Sequence, residues 1–254
     1  MNLSGNTILI TGGGSGIGRG LAEAFHALGN QVVIAGRRRG ALDETTAANP
    51  GMKSLTFDIE RPEAIRSFAA EVAGAFPSLN VLINNAGIMR AENLLAQQPG
   101  LDDAEATIRT NLLGPIRLTA ALLPHLQKQP RAAIMNVSSG LAFLPLALTP
   151  TYCATKAAIH SYTHSLRYQL RETNIEVLEL VPPYVATKLM DRNASDPRAM
   201  PLDKFLAEVM EILKQQPTPA EICVENVKPL RFSAETGKFD AIFNGLNSSM
   251  ADIH

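Results

Sequence analysis

Along this chain, apolar residues gather into short unbroken runs, separated by longer stretches in which they recur every three or four positions. The short runs are Thr7–Thr11, Gln31–Ala35, Ser54–Phe57, Val81–Asn84, Ala132–Val137 and Ile175–Val181. Several stay apolar throughout, which predicts parallel strands covered on both faces; a half-exposed strand would alternate instead. The stretches between them, roughly 17–28, 39–48, 62–75, 102–127 and 152–171, read as helices, with Leu21, Phe25 and Leu28 on one face of the first. Pro99-Gly100 and Pro130 punctuate the longer connections. Glu221–Glu225 reads as a seventh strand. Phe239, Ile242, Phe243 and Leu246 then follow the i, i+3, i+4, i+7 spacing of an amphipathic helix, whose stripe must be buried. Strand and helix alternate throughout, so the class is α/β: a single doubly wound parallel sheet of about seven strands with helices on both faces. No internal repeat, low-complexity tract or linker divides residues 1–254.

Composition removes several function classes. A chain of 254 residues with 46% hydrophobic positions can bury a full core as one unit. Its 23 basic residues nearly balance 24 acidic ones, so no nucleic-acid surface is expected. The start, Met-Asn-Leu-Ser-Gly-Asn-Thr, lacks the basic and apolar regions of a signal peptide. The longest apolar stretch, Leu141–Leu148, is short and broken by Pro145, so no membrane insertion is expected. Two cysteines, Cys153 and Cys223, make no disulfide framework, which fits a reducing, cytoplasmic location. Cys153 reads as a small packing residue rather than a reactive thiol. No metal site is expected.

Candidate chemistry sits where predicted strands end. The glycine-rich turn Thr11-Gly-Gly-Gly-Ser-Gly-Ile-Gly18 follows the first strand and opens the first helix. Glycines there let the backbone approach a pyrophosphate, and the helix N-terminus favours an anion. The spacing Gly12-x-x-x-Gly16-x-Gly18 differs from the commoner G-x-G-x-x-G. Farther along, Tyr152 and Lys156 are four apart in helical sequence and so share a face. An ammonium beside a phenol favours the phenolate, bringing it toward a useful acid–base range. Ligands of doubly wound sheets lie beyond the carboxyl ends of the strands. Gly12–Gly18, Asp58, Asn84–Gly87, Ser139 and Pro182–Thr187 all follow predicted strands and therefore converge on one crevice.

Together with Asn111, Asn136-Val-Ser-Ser139 and Tyr152-x-x-x-Lys156, these motifs resemble the short-chain dehydrogenase/reductase family over almost the whole chain. The resemblance implies one Rossmann-type NAD(P)-binding domain over 1–254, a variable substrate loop region at 184–215 and a C-terminal helical extension at 231–250. It implies four catalytic residues. Tyr152 would pass a proton to or from the substrate oxygen while hydride moves to or from the nicotinamide. Lys156 would lower the Tyr152 pKa and hold ribose hydroxyls, Ser139 would hydrogen-bond the same oxygen, and Asn111 would mark a helix distortion anchoring a relay water. The implied cofactor contacts are Gly12, Ser15, Gly16, Ile17, Gly18, Arg37, Arg38, Asp58, Ile59, Asn85, Ala86, Gly87, Pro182, Val185 and Thr187, with Tyr152 and Lys156 shared. Among these Asp58 would accept from the adenine amino group, Asn85 would pin neighbouring strands, and Thr187 would bond the carboxamide or pyrophosphate. The family's usual Pro-Gly is Pro182-Pro183 here, and a second proline removes an N–H and fixes φ. A closer resemblance, carried by Ser139–Ala147 and Tyr152–Ala158, is to the DltE-like oxidoreductases associated with D-alanylation of lipoteichoic acid.

Cofactor choice is readable after the second strand. NAD enzymes often place an acid there for the ribose 2′-hydroxyl. This chain has Gly36-Arg37-Arg38-Arg39 instead, and arginine binds a 2′-phosphate through charge-assisted hydrogen bonds. NADP(H) is expected over NAD(H). Leu141, Phe143, Leu144, Leu146 and Leu148, with Tyr184, Leu189 and Met190, either line an apolar pocket or are core. The leading expectation is an NADP(H)-dependent oxidoreductase interconverting a carbonyl and an alcohol of a small molecule. The alternatives are an oxidoreductase serving teichoic-acid D-alanylation and a non-enzymatic NADP-binding regulator. Relatives usually assemble, so a homodimer or homotetramer is expected.

Overall fold

The apolar runs become a seven-stranded sheet, and side-chain alternation within each run decides which face it serves. In the computed structural model, residues 1–96, 100–190 and 196–250 are described. Pro99 and residues 191–195 of the expected substrate loop lie outside the described residues. The strands are β1 (Thr7–Thr11), β2 (Gln31–Gly36), β3 (Lys53–Thr56), β4 (Leu79–Asn84), β5 (Ala132–Val137), β6 (Ile175–Val181) and β7 (Glu221–Cys223). The helices are α1 (Gly16–Ala27), α2 (Arg39–Ala48), α3 (Pro62–Ala75), α4 (Asp102–Ile108), α5 (Gly114–Leu126), α6 (Pro150–Gln169), α7 (Leu202–Leu213), α8 (Lys228–Arg231) and α9 (Phe239–Met250). The strand order is β3-β2-β1-β4-β5-β6-β7, and every described pairing is parallel. The order reverses between β1 and β4, so a crevice opens at their carboxyl ends.

Ile8 and Ile10 point to one face with Leu21 and Phe25 of α1 and Phe205, Val209 and Leu213 of α7. Leu9 points to the other, with Ile65 and Val72 of α3, Leu118 and Leu122 of α5, and Leu166 of α6. The period of two is therefore present, but both phases are apolar because both faces are covered. Contact between α1 and α7 is close: a Cβ on Gly20 would lie 2.2 Å from Leu206 Cδ1.

Three details depart from the sequence reading. The stretch 102–127 is not one helix, because the π-helical turn Arg109–Leu113 separates α4 from α5. The second half of the region read as a substrate loop folds as α7, whose Phe205, Val209 and Leu213 are fully buried. Finally, β7 ends at Cys223, two residues early, because a 3-10 turn over Glu225–Val227 follows.

The tail helix α9 docks on the segment between β5 and α6. Leu246 packs beside Leu146, Tyr152 and Cys153. The Asn247 amide accepts from Ala147 N at 2.6 Å and donates to Pro145 O at 3.3 Å. Among the described residues, no helix is long and apolar enough to cross a membrane.

Candidate active site

The turn after β1 is held by polar groups rather than by packing. Thr11 Oγ1 accepts from Asn85 N and Ala86 N, each at 3.0 Å, and Asn85 Nδ2 donates to Thr11 O at 2.9 Å. Gly12 has φ +70° and donates its N–H to Ala35 O at 2.7 Å. A Cβ on Gly18 would lie 2.3 Å from Asn85 Nδ2 and 2.4 Å from Gly12 O, so only glycine fits that close approach. Ser15, the cap residue of α1, makes no side-chain cap; its hydroxyl instead accepts from Arg38 Nη2 at 2.9 Å. The first-turn amides of α1 thus keep their donors free of intrahelical and cap acceptors, and no acid sits in that turn. This cradle fits the pyrophosphate of a dinucleotide. Thr187 closes its far side, with its Cβ 3.5 Å from where a Cβ on Gly16 would stand.

Around the end of β2, the arginines are not equivalent. Arg38 lies on the glycine turn, whereas Arg37 pairs with Glu60 at 2.7 Å and Arg39 with Asp43 at 2.8 Å. Asp58 Oδ1 accepts from Glu60 N at 3.1 Å, holding its own loop. Ile59 is buried beneath Gly114, where a Cβ would come within 2.6 Å of Ile59 Cγ1. Pro182 O accepts from Gly140 N at 2.9 Å, tying the end of β6 to the Ser139 turn. Val185 bridges to Met200, so the double proline is followed by an ordered turn.

Asn111, Ser139, Tyr152 and Lys156 meet over the ends of β4 and β5. The π turn widens the α4–α5 backbone at Asn111, and such bulges recur at functional positions. Its amide grips Ile88 twice, donating to Ile88 O at 2.8 Å and accepting from Ile88 N at 2.9 Å. A Cβ on Gly87 would sit 3.4 Å from Asn111 Oδ1 and 3.8 Å from Lys156 Nζ, so the three positions converge. Ser139 begins a 3-10 turn, its hydroxyl accepting from Leu141 N at 3.1 Å. Tyr152 and Lys156 are each 5% exposed. Glu92 caps α6 from outside the helix: its carboxylate accepts from Thr151 N at 3.0 Å and Thr151 Oγ1 at 2.7 Å. That acid also suits the positive end of the helix dipole. Nothing local in the sequence marks Glu92, because the cap is made across 59 residues.

The electrostatics differ from the simple expectation. Lys156 Nζ donates to Val137 O at 2.8 Å and lies 5.6 Å from the Tyr152 ring centroid. Burial pushes Tyr152 above its ordinary value, the Ser139 hydroxyl opposing it. Burial also lowers Lys156 from 10.5 to about 8, with Glu179 opposing. In this arrangement Lys156 does not depress Tyr152, because desolvation outweighs an ammonium already bonded to a carbonyl. Cys153 packs inward, its sulfur accepting from Leu146 N at 3.3 Å, and burial pushes its thiol up. Leu144 and Leu146 are core, while Leu189 is exposed. Phe143 meets His160 edge to face and carries the Arg231 guanidinium over its ring.

A family model described as short chain dehydrogenase matches residues 6–198. The uncharacterized oxidoreductase DltE of Bacillus subtilis is 39% identical over 98% of this chain and 99% of its own. A short chain dehydrogenase from Burkholderia cenocepacia, crystallised in complex with NADP, superposes with a TM-score of 0.80 at 25% identity, over 97% of this chain and 99% of that one. The 3-ketoacyl-(acyl-carrier-protein) reductase of Brucella melitensis, complexed with NADH, gives 0.76 at 26% identity, over 85% and 93%.

Proposed function

The chain belongs to the short chain dehydrogenase family and is an oxidoreductase; from that premise we propose that it interconverts a carbonyl and an alcohol with NADP(H). A bound nicotinamide cofactor would supply the hydride acceptor or donor. The carrying observation is the meeting of Asn111, Ser139, Tyr152 and Lys156 beside an uncapped glycine cradle.

In this reading Tyr152 gives its phenolic proton to the substrate oxygen in reduction and takes it back in oxidation. Burial keeps the phenol protonated at neutral pH, the form that reduction requires. Ser139 donates a hydrogen bond to the same oxygen, which it can do while its own oxygen still accepts from Leu141 N. Lys156 supplies positive charge beside the phenol as that proton leaves, and Asn111 fixes the Ile88 backbone that walls the site. Arg38, on the glycine turn, is the 2′-phosphate ligand, and Arg37 joins it only by loosening from Glu60. Joint placement of all four side chains favours an enzyme over a non-enzymatic NADP-binding regulator. The reading extends to a cytoplasmic protein and to a homo-oligomer; the assembly is supported by Leu101, just before α4, and Tyr168 of α6, left 70% and 68% exposed. Light scattering on the purified chain tests the assembly.

The deciding experiment is Tyr152→Phe, which keeps the ring and removes the only proposed proton donor. Turnover in a carbonyl screen with NADPH should fall by at least ~100-fold, the usual range of acid–base catalysis, with cofactor affinity nearly unchanged. Retained turnover on a substrate the wild type reduces would sink the mechanism.

A further inference from the structure

Two histidines one turn apart on α6, His160 and His164, face two carboxylates on the sheet edge. Glu179 of β6 and Glu221 of β7 are register partners on neighbouring parallel strands, so their side chains stand on the same face. Glu179 is fully buried and its carboxylate lies 2.9 Å from His160 Nδ1. Glu221 lies 3.5 Å from His164 Nε2. One ligand atom from each of the four residues falls within 4.8 Å of all the others. The proposed reaction uses none of these side chains.

Charge in this cluster is unbalanced when the histidines are neutral. Two carboxylates stand side by side, one without water. Arg231 is the cation on Glu221, at 2.6 and 3.2 Å, and it is shared with Glu235 at 2.8 Å. Glu179 has no arginine or lysine within ion-pair distance among the described residues. A buried carboxylate without a counter-charge is costly.

We propose that His160, His164, Glu179 and Glu221 form a divalent-cation site of the zinc class. Imidazole nitrogens four apart on a helix are a natural two-point chelate, and two carboxylates complete a tetrahedral set. Ligand atoms around tetrahedral zinc are ~3.3 Å apart, so the widest pair must close by about 1.5 Å. His164, half exposed, provides the entry side, and Arg231 remains on Glu221 as an outer partner. The bound ion staples α6 to β6 and β7 one turn beyond Lys156.

The test is calorimetric titration of the EDTA-treated full chain with zinc chloride. One site with a Kd at or below about 10 μM is expected, with a melting temperature raised by about 5 °C at saturating zinc. Cobalt(II) should give the visible ligand-field absorption of a four-coordinate ion. His164→Gln, at an exposed position, should weaken binding at least ~10-fold, as should Glu221→Gln, while NADPH affinity stays as in the wild type. Cys223→Ser should bind zinc like the wild type, since its sulfur is not among the four ligand atoms that cluster. Absence of a site at ~100 μM zinc, binding unchanged in His164→Gln, or binding lost in Cys223→Ser would overturn the proposal.

Discussion

Replacing Lys156 with methionine should stabilise the protein near neutral pH while abolishing its proposed activity. Lys156 is 5% exposed and has one described hydrogen bond, to Val137 O. Its lowered pKa means the folded protein holds that proton less tightly than the unfolded chain does. The drop from 10.5 to about 8 corresponds, at ~1.4 kcal/mol per pH unit, to about 3 kcal/mol of destabilisation. The sign follows from proton counts. Below pH 8 both states are protonated and the full penalty applies. Between pH 8 and 10.5 the folded state has released its proton and the unfolded state has not, so wild-type stability rises with pH. Above 10.5 both are neutral and the penalty vanishes. Methionine keeps the stem but loses the bond to Val137 O, worth ~1 kcal/mol. Lys156→Met should therefore be more stable than wild type by about 2 kcal/mol at pH 7, and the gap should shrink markedly by pH 10. Urea unfolding of both proteins without cofactor, at pH 7 and pH 10, measures this. A variant less stable at pH 7, or a gap of equal size at both pH values, refutes the reasoning.

Other outcomes test separate parts of the structure. Arg38→Ala should weaken NADPH binding by ~10-fold or more, as loss of a charge-assisted contact implies, and leave NADH nearly unaffected; equal losses in fluorescence titrations would remove Arg38 from phosphate recognition. Gly18→Ala places a methyl 2.3 Å from Asn85 Nδ2 and 2.4 Å from Gly12 O; it should lower stability by ~1–3 kcal/mol and abolish dinucleotide binding, and a variant with wild-type affinity would contradict the close-approach argument. Deleting residues 236–254 removes Leu246 and the two bonds of Asn247 to the 145–147 segment; the melting temperature should fall by several degrees, and no change would show that α9 contributes nothing to the fold.

The strands and most helices were legible in the sequence because each apolar run is flanked by turn residues and buried on both faces. Ser139 was legible as a residue that follows a strand, and Tyr152 and Lys156 as a pair on one helix face; their grouping with Asn111 came from the family resemblance. What escaped was set by tertiary contact. α7 is marked by Phe205, Val209 and Leu213 at helical spacing, yet it sat inside a region assigned to a loop by resemblance. The engagement of Arg37 by Glu60 and of Arg38 by Ser15 depends on how two loops meet. So does the capping of α6 by Glu92. Four-residue spacing shows that Tyr152 and Lys156 are close but not that both are buried, and burial is the largest influence on the Tyr152 pKa here.

Burial also explains how an apolar sheet carries a polar site. Asn84, Asn136 and Glu179 are consecutive register partners across β4, β5 and β6, near their carboxyl ends, and all are buried. Asn84 Nδ2 donates to Thr119 Oγ1 at 3.0 Å and Asn136 Oδ1 at 2.9 Å, Asn136 Nδ2 donates to Thr163 Oγ1 at 2.9 Å, and Glu179 meets His160. The row is a hydrogen-bonded layer between the apolar middle of the sheet and the residues proposed for catalysis. Satisfied groups of this kind are far less costly to bury than isolated ones and admit few alternative packings. It binds the inner faces of α5 and α6 to the sheet directly beneath Asn111, Lys156 and Tyr152. The penalty of a dry Lys156 is then borne by a neighbourhood that cannot easily relax to hydrate it. Asn84 Oδ1 alone in that row lacks a partner. Asn84→Asp, which turns that row's donor into a second buried acid beside Asn136, should consequently be more damaging than Asn84→Ala: a hydrogen-bonded layer tolerates a gap better than an uncompensated charge.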